Sequence, residues 1–422
     1  MTTPSWVSAR QGLPPSFEDA QPRAEARRKI RTVVFSTLFP SVARPTHGVF
    51  VETRLRHLLL CGEVETRVVA PVPWFPSTAA RWGSWGQMGA TPAVENRSGI
   101  AVYHPRYILP PKVGMLIAPL MLAFGAYPTF TRLRHEGFDF DLIDAHYFYP
   151  DGVAAALLAG WLRKPLVVTA RGSDIHSISE QWLPRQMILA TAKRAYRSIG
   201  VCQALVDDLA RKGADPSRLV AIRNGVDLER FTPFPRDDIR AKFKLPDAAP
   251  LLLSVGHLIE LKGNHLTLAA LQELPHAYLV VIGEGEDRLK LEQLAARLGV
   301  AGRVRFIGLV PNVELAQWYS AADILVLASS REGWPNVLLE SMACGTPVIA
   351  TRTWGTPEVV SEPAAGRLIE RRDAASIAKA IRELFAALPP RTATRQYAER
   401  YSWEATTAAQ LALFREIAAA PI

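Results

Sequence analysis

The sequence predicts an α/β protein made of two Rossmann-like domains, each on a mostly parallel sheet, that face each other across a cleft. Three observations carry this expectation. Short apolar runs alternate with helix-period segments, many runs lack polar alternation, and a proline-rich charged stretch divides them into two series. A strand covered by helices on both faces has no solvent side, so an unbroken apolar run marks a parallel strand. At 422 residues the chain exceeds one ordinary core, and two domains follow.

The first series comprises RTVVFST (31–37), TRVVAP (66–71), DLIDAH (141–146), PLVVTA (165–170), SIGVC (198–202) and LVAI (219–222). The second comprises LLLSVG (251–256), AYLVVIG (277–283), VRFIG (304–308), DILVLAS (323–329) and TPVIAT (346–351). Helical segments such as EQLAARLG and SIAKAIRELFAAL separate the strands, giving a βαβ rhythm with right-handed crossovers. FTPFPRDDIRAKFKLPDAAP (231–250) carries four prolines and is the expected domain boundary. We place the first domain at 30–235 and the second at 246–401, with ligand at the carboxyl ends of the strands. Residues 1–29 hold no apolar core of signal-peptide length and read as a disordered leader, so a cytoplasmic location is expected.

Composition excludes little but orders the alternatives. Cys61, Cys202 and Cys344 lie far apart, against a disulfide framework or a zinc site. The net charge of +9 lies entirely in the first half: residues 1–240 hold 30 Lys and Arg against 21 Asp and Glu, and the remainder 19 against 19. The basic residues are scattered and no nucleic-acid module accompanies them, so an anionic membrane surface or an acidic acceptor is favoured over nucleic acid. Between Lys112 and Arg132 lie 19 uncharged residues, VGMLIAPLMLAFGAYPTFT (113–131). That approaches the roughly 20 residues of a membrane-spanning helix. Gly114, Pro119, Gly125 and Pro128 interrupt it, and a span would split the first domain. A helix of that domain is expected here, with interfacial contact or a true span as the alternatives.

The chemistry concentrates in ILVLASSREGWPNVLLESMACGTPVIAT (324–351). A buried strand ends in small polar residues, and Gly333 and Pro335 shape entry into a helix. Proline suits a first helical turn, where its missing N–H would be unpaired anyway. Free N–H groups from Trp334 to Val337 would then present an anion site to the cleft. Glu332 precedes the helix, and Glu340 falls one turn in, on the face of Asn336.

EGWPNVLLESMACGTPVIAT (332–351) resembles the E-x7-E donor motif of glycosyltransferase family 4. PTHGVFVETRLRHLLLCG (45–62) is similar to that family's glycine loop and first helix. VCQALVDDLARKGADPSRLVAIRNGVDLERFTP (201–233) is similar to its pre-linker segment with NGVD. LLSVGHLIELKGNHLTLAAL (252–271), VIGEGEDRLKL and FIGLVPNVELAQWYSAADILV follow in the family's order, and YSWEATTAAQLALFREI (401–417) resembles the helix, here 402–420, that crosses back onto the first domain.

The resemblance implies the GT-B fold and a retaining, metal-independent transferase that takes a nucleotide sugar and needs no cofactor. It implies that Glu340 bonds the donor ribose, Glu332 the hydroxyls of the transferred sugar, and Lys262 the diphosphate. Gly333, Trp334, Pro335, Asn336 and Val337 would line the donor through their backbone. Gly48 would let the first-domain loop approach the diphosphate or acceptor. Two positions depart from the family. His257 stands where many relatives have a diphosphate-clamping arginine. Arg171, in VVTARGSDIHSI (167–178), stands where relatives have a histidine, and arginine cannot act as a base. Arg171 is left with charge stabilisation or acceptor binding; Asp174 is expected to orient it or to meet the acceptor, unless the two form a buried ion pair. His146 is a further cleft candidate, with a core histidine as the alternative. The expected acceptor is a glycan or lipid-linked glycan in surface polysaccharide biosynthesis. A GT-B phosphorylase, a nucleotide-sugar epimerase and a non-catalytic glycan-binding relative are the competing readings.

Overall fold

The computed structural model describes residues 28–109 and 114–420. All but the last two residues of the expected leader, and Val113 of the apolar segment, lie outside them. Before the linker come β1 (Ile30–Phe35), β2 (Val64–Val69), β3 (Val72–Pro73), β4 (Val94–Arg97), β5 (Ile100–Tyr103), β6 (Arg106–Tyr107), β7 (Leu142–His146), β8 (Leu166–Ala170), β9 (Arg197–Gly200) and β10 (Leu219–Ala221). After it come β11 (Leu251–Val255), β12 (Tyr278–Ile282), β13 (Val304–Gly308), β14 (Ile324–Leu327), β15 (Val348–Thr351) and β16 (Gly366–Ile369).

The first sheet has eight strands in the order β10-β9-β8-β7-β1-β2-β5-β4, and the second has six in the order β13-β12-β11-β14-β15-β16. Every pairing is parallel except β4 with β5. Strand order reverses at β1/β7 in the first sheet and at β11/β14 in the second. Chain connections leave in opposite directions at such a point, opening a crevice where ligands bind. His146 ends β7, and the loops carrying Gly48, His257, Lys262 and Glu332 leave β1, β11 and β14.

All eleven expected runs became strands. The five others had weaker signals. β3 and β6 are two-residue strands pairing only with each other. β4 and β5 form a hairpin through Ser98 and Gly99, whose φ of 52° and 85° suits the tight turns that match strand twist. β16 is an edge strand with Arg367 facing solvent.

The boundary stretch 231–250 proves partly structured. Helix Arg236–Phe243 forms inside it and packs on the second domain, where Phe243 stacks on Trp318 at 4.0 Å. Arg240, fully buried, bonds Asp323 and the carbonyls of Ala321, Pro246, Asp247 and Ala249. Its prolines therefore flank a docked helix rather than a free linker.

The apolar segment forms helix Gly114–His135, long and apolar enough to cross a membrane by length and composition. One face nonetheless builds the first core, through Ala118, Leu122, Ala123, Ala126, Phe130 and Leu133. A Cβ on Gly125 would sit 2.6 Å from the Arg106 carbonyl oxygen, so the helix lies hard against β6. The terminal helix Trp403–Ala419 returns to the first domain and buries Leu411, Leu413, Phe414 and Ile417 with Ile30, Val64, Leu142 and Val167.

Candidate active site

In the second domain, β14 runs into the turn that carries Glu332. Pro335 caps the helix Asn336–Ala343, one position earlier than expected, at φ −80° and ψ 86°. This alters the anion site. The tight turn closes the Asn336 N–H onto the Trp334 carbonyl at 3.0 Å. Trp334 and Val337 keep free N–H groups, so the expected run of donors is thinner than the sequence suggested. The Trp334 ring is buried beside Tyr401, centroids 6.1 Å apart, and only its backbone serves the cleft.

Lys262 and Glu332 meet: Nζ donates to Oε1 at 2.6 Å, with the side chains 26% and 10% exposed. The glycine beside the lysine sets this distance. Gly263 has φ 73°, and a Cβ there would lie 2.0 Å from the Ala328 carbonyl oxygen, so only glycine lets this loop rest on the end of β14. His257 follows Gly256 and is exposed at the carboxyl end of β11. Glu340 stands one turn into the helix, accepting from the Tyr319 hydroxyl at 2.8 Å. Burial pushes its carboxyl up to about 7, against the lowering pull of Tyr319 and the Arg230 charge.

Across the cleft, Arg171 Nη2 lies 2.6 Å from His146 Nδ1. Arginine only donates, so Nδ1 accepts and the imidazole proton sits on Nε2, 3.4 Å from Asp144 Oδ2. Burial lowers His146 to about 4. It is a neutral support 2% exposed behind Arg171, which corrects its expected place in the cleft. Arg171 also points Nη1 at Asn224 Oδ1 at 3.4 Å and lies 5.2 Å from the Phe50 ring centroid. Its Nε is buried without a partner. Burial lowers its pKa to about 9, so it stays charged at neutral pH.

Asp174 is also corrected. Its carboxylate accepts from the N–H groups of Phe148 at 2.7 Å, Gly172 at 2.8 Å and Arg171 at 3.1 Å, and it is fully buried. It folds the loop backbone and pairs with no guanidinium among the described residues. Gly48 begins the first helix at φ 71°, and a Cβ would lie 2.3 Å from the Leu38 carbonyl, so a packing requirement within its own domain already explains it.

The domains touch at glycine. A Cβ on Gly333 would sit 2.2 Å from the Arg171 carbonyl oxygen. Around that contact, Arg223 pairs with Glu358 at 2.7 Å, Arg331 bonds Ser177 at 2.7 Å, and Asn224 Nδ2 donates to Asn336 Oδ1 at 3.3 Å. Asn224 and Tyr319, which bond the expected site residues Arg171, Asn336 and Glu340, did not stand out in the sequence although NGVD and WYSAAD were in view. The triplet Asp139–Phe140–Asp141 has the Asp-x-Asp spacing of a metal motif. It stands at the amino end of β7, however, with Asp139 on Lys164 at 2.8 Å and Asp141 on Arg28 at 2.9 Å. No cluster of three or more His, Cys, Asp or Glu that could hold a metal occurs among the described residues.

Residues 235–401 match the glycosyl transferases group 1, and residues 88–230 match Glycosyltransferase Family 4. A D-inositol 3-phosphate glycosyltransferase of Geodermatophilus obscurus is 33% identical over 365 residues, 78% of this chain and 79% of that protein. The lipopolysaccharide core biosynthesis glycosyltransferase LpsE of Rhizobium meliloti is 39% identical over 179 residues, 41% of this chain and 52% of LpsE. Among solved structures, sucrose-phosphate synthase from Thermosynechococcus elongatus superposes with a TM-score of 0.75 at 21% identity, covering 93% of this chain and all of that one. Anabaena Alr3699/HepE in complex with UDP-glucose gives 0.68 at 20% identity, over 92% of this chain and 99% of that one. With two facing Rossmann-like domains, a returning terminal helix and the E-x7-E turn at the second switch point, the chain belongs to the family 4 glycosyltransferases of the GT-B fold.

Proposed function

We propose that this glycosyltransferase moves a sugar, with retention and without a metal, from a nucleotide-sugar donor to a glycan or lipid-linked acceptor in surface glycan biosynthesis. One observation carries the donor reading: a paired Lys262 and Glu332 at the helix mouth, with Glu340 one turn deeper. In this reading Glu340 accepts the ribose hydroxyls, Glu332 the sugar hydroxyls, and Lys262 turns to the diphosphate. The bond from the anomeric carbon to the phosphate oxygen loosens while the acceptor hydroxyl bonds to that carbon on the same face. The departing phosphate oxygen takes the hydroxyl proton. With Arg171 unable to accept a proton and His146 closed off behind it, positioning and charge supply the catalysis.

Hydrolysis and transfer assays across UDP-, GDP- and ADP-sugars test this, with Glu340→Ala as the control. If no nucleotide sugar binds or turns over, and Glu340→Ala changes nothing, the reading fails.

We also propose that the enzyme works at the cytoplasmic face of an anionic membrane. Leu116, Leu120, Phe124 and Tyr127 form an exposed stripe along helix Gly114–His135, continued by Trp161, whose ring lies 5.3 Å from Phe124. Arg163 and Arg194, with no acidic partner among the described residues, adjoin it on the Trp161 side. An apolar stripe edged by cations suits an anionic lipid surface. Flotation with phosphatidylglycerol vesicles against phosphatidylcholine vesicles tests it, and equal recovery in both would count against it.

A further inference from the structure

A second cavity, of about 280 Å³, opens in the first domain beyond the carboxyl ends of β1, β2 and β5. Its wall is tied to β7 and the turn after it, at the switch point of the first sheet. Thr37, in its wall, donates its N–H to Asp151 at 2.7 Å, and the neighbouring Ser36 hydroxyl donates to the His146 carbonyl at 3.1 Å.

Arg44 lines this cavity, half-buried, with no carboxylate within 4 Å among the described residues. Among the described residues its one side-chain bond runs from Nη2 to His47 Nδ1 at 3.0 Å. His47 in turn donates Nε2–H to the Thr37 carbonyl at 3.1 Å, which fixes Nδ1 as the acceptor and the ring as neutral. The guanidinium is therefore aimed from behind by an uncharged group, and most of its five donors lack a protein partner. Two charged groups nearby are already engaged, and the Tyr107 hydroxyl also lines the cavity. Glu95 accepts from Val42 N–H and His104, and Arg106 donates to the carbonyls of Met88 and Thr91.

The cavity mouth is aromatic. Trp85 lines it and lies 5.6 Å from Phe75, which lies 5.7 Å from Trp82; the two tryptophans are 40% and 47% exposed. Glycine keeps this segment compact. A Cβ on Gly86 would sit 2.4 Å from the Ala79 carbonyl oxygen, and one on Gly89 2.4 Å from that of Ser77. Fixed aromatic rings beside a polar pocket suit sugars, whose C–H faces pack on the rings while hydroxyls stay wet at the rim.

We propose that this cavity is the acceptor site, and that the acceptor is an anionic saccharide whose carboxylate or phosphate is held by Arg44 while adjoining sugar units lie on Trp85 and Trp82. A planar guanidinium binds either anion through two parallel hydrogen bonds. The cavity has room for one charged sugar, so a longer chain must leave across the tryptophans. The inference rests on the glycosyltransferase reading and names the acceptor class for it.

Binding to the full-length protein is measured calorimetrically for matched probes: glucose, glucuronate and glucose 6-phosphate, then cellobiose and cellobiouronic acid. The charged member of a pair is expected to bind at least tenfold more tightly than the neutral one, and Arg44→Met is expected to bring that ratio near one. Preference for glucuronate assigns a carboxylate acceptor, and preference for glucose 6-phosphate a phosphate. The double variant Trp82→Ala, Trp85→Ala is expected to weaken the disaccharide acid several-fold and leave the monosaccharides unchanged. Equal binding of charged and neutral probes by the unaltered protein, or a preference that survives Arg44→Met, overturns the proposal. Nucleotide-sugar binding, measured on the same preparations, is expected to be unchanged in both variants and certifies their fold. Its absence from the unaltered protein would instead sink the donor reading.

Discussion

Glu340 offers a direct test of the donor site. Its carboxyl has been pushed from its ordinary 4.5 to about 7, chiefly by burial. Ribose hydroxyls donating into it would favour the anion, so donor binding should expel a proton. With a midpoint near 7, about a tenth of the free protein is ionised at pH 6 and about nine-tenths at pH 8. A complex that keeps Glu340 ionised throughout should therefore bind donor about tenfold more tightly at pH 8 than at pH 6, or about 1.4 kcal/mol. A nucleotide-diphosphate sugar is the right probe, because its esterified phosphates do not titrate in this range. Calorimetry in two buffers of different ionisation enthalpy should show close to one proton released at pH 6, and Glu340→Gln should abolish both release and slope. Asp151 is also pushed to about 7, but it lies under the first-domain loop and is untouched by that substitution. Stability has the opposite sign. A raised carboxyl holds its proton in the folded state, so wild-type stability falls by about 3 kcal/mol as pH rises from 4.5 to 7, and the Gln variant is spared. A flat affinity profile in the wild type, or the same slope in Glu340→Gln, would refute the reasoning.

Three further outcomes are expected. Gly333→Ala places a methyl 2.2 Å from the Arg171 carbonyl oxygen, so the domains must part by about an ångström; kcat should fall on the order of a hundredfold with donor affinity within threefold of wild type, read by steady-state kinetics and calorimetry. Arg171→Lys removes the fork that meets His146 and Asn224, and kcat should drop at least tenfold with an unchanged melting temperature. Arg240→Ala strips four carbonyls of their donor while Asp323 keeps Arg236 at 2.8 Å, and should cost about 3 kcal/mol in denaturant unfolding of the second domain, with no direct effect on the cleft.

The two domains were legible because parallel strands advertise themselves: LLLSV, YLVVI and ILVL can hardly be anything but covered strands. The turn carrying Glu332 was legible because glycine and proline follow the end of β14. What sequence could not show were side-chain directions. Asp174 beside Arg171 suggested an ion pair, yet in a tight loop the backbone N–H groups reach the carboxylate before any guanidinium does. His146 at a strand end suggested a cleft residue, but strand alternation turned its ring beneath Arg171. The cavity around Arg44 was illegible for another reason. It draws on residues from Thr37 to Leu109, across the loop after β1, β3, the aromatic segment and β6, with no shared motif.

The returning terminal helix has a role beyond covering the sheet. Gln410, on that helix, donates to Asp144 Oδ2 at 3.1 Å and accepts from Arg54 Nε at 2.8 Å. Arg54 Nη1 reaches Asn224 Oδ1 at 3.2 Å, and Asn224 meets both Arg171 and Asn336. Asp144 approaches His146, which backs Arg171. The helix thus ties together a buried polar network behind Arg171, in which Arg54 and Asp144 offset one another. A neutral amide is the right group at that junction, because it can donate to the acid and accept from the base at once. Either a carboxylate or an ammonium there would leave one neighbour opposed inside a low-dielectric site. The arginine that departs from the family's histidine is therefore held by residues from four separate segments. Its position is set by the assembled fold rather than by the loop that carries it.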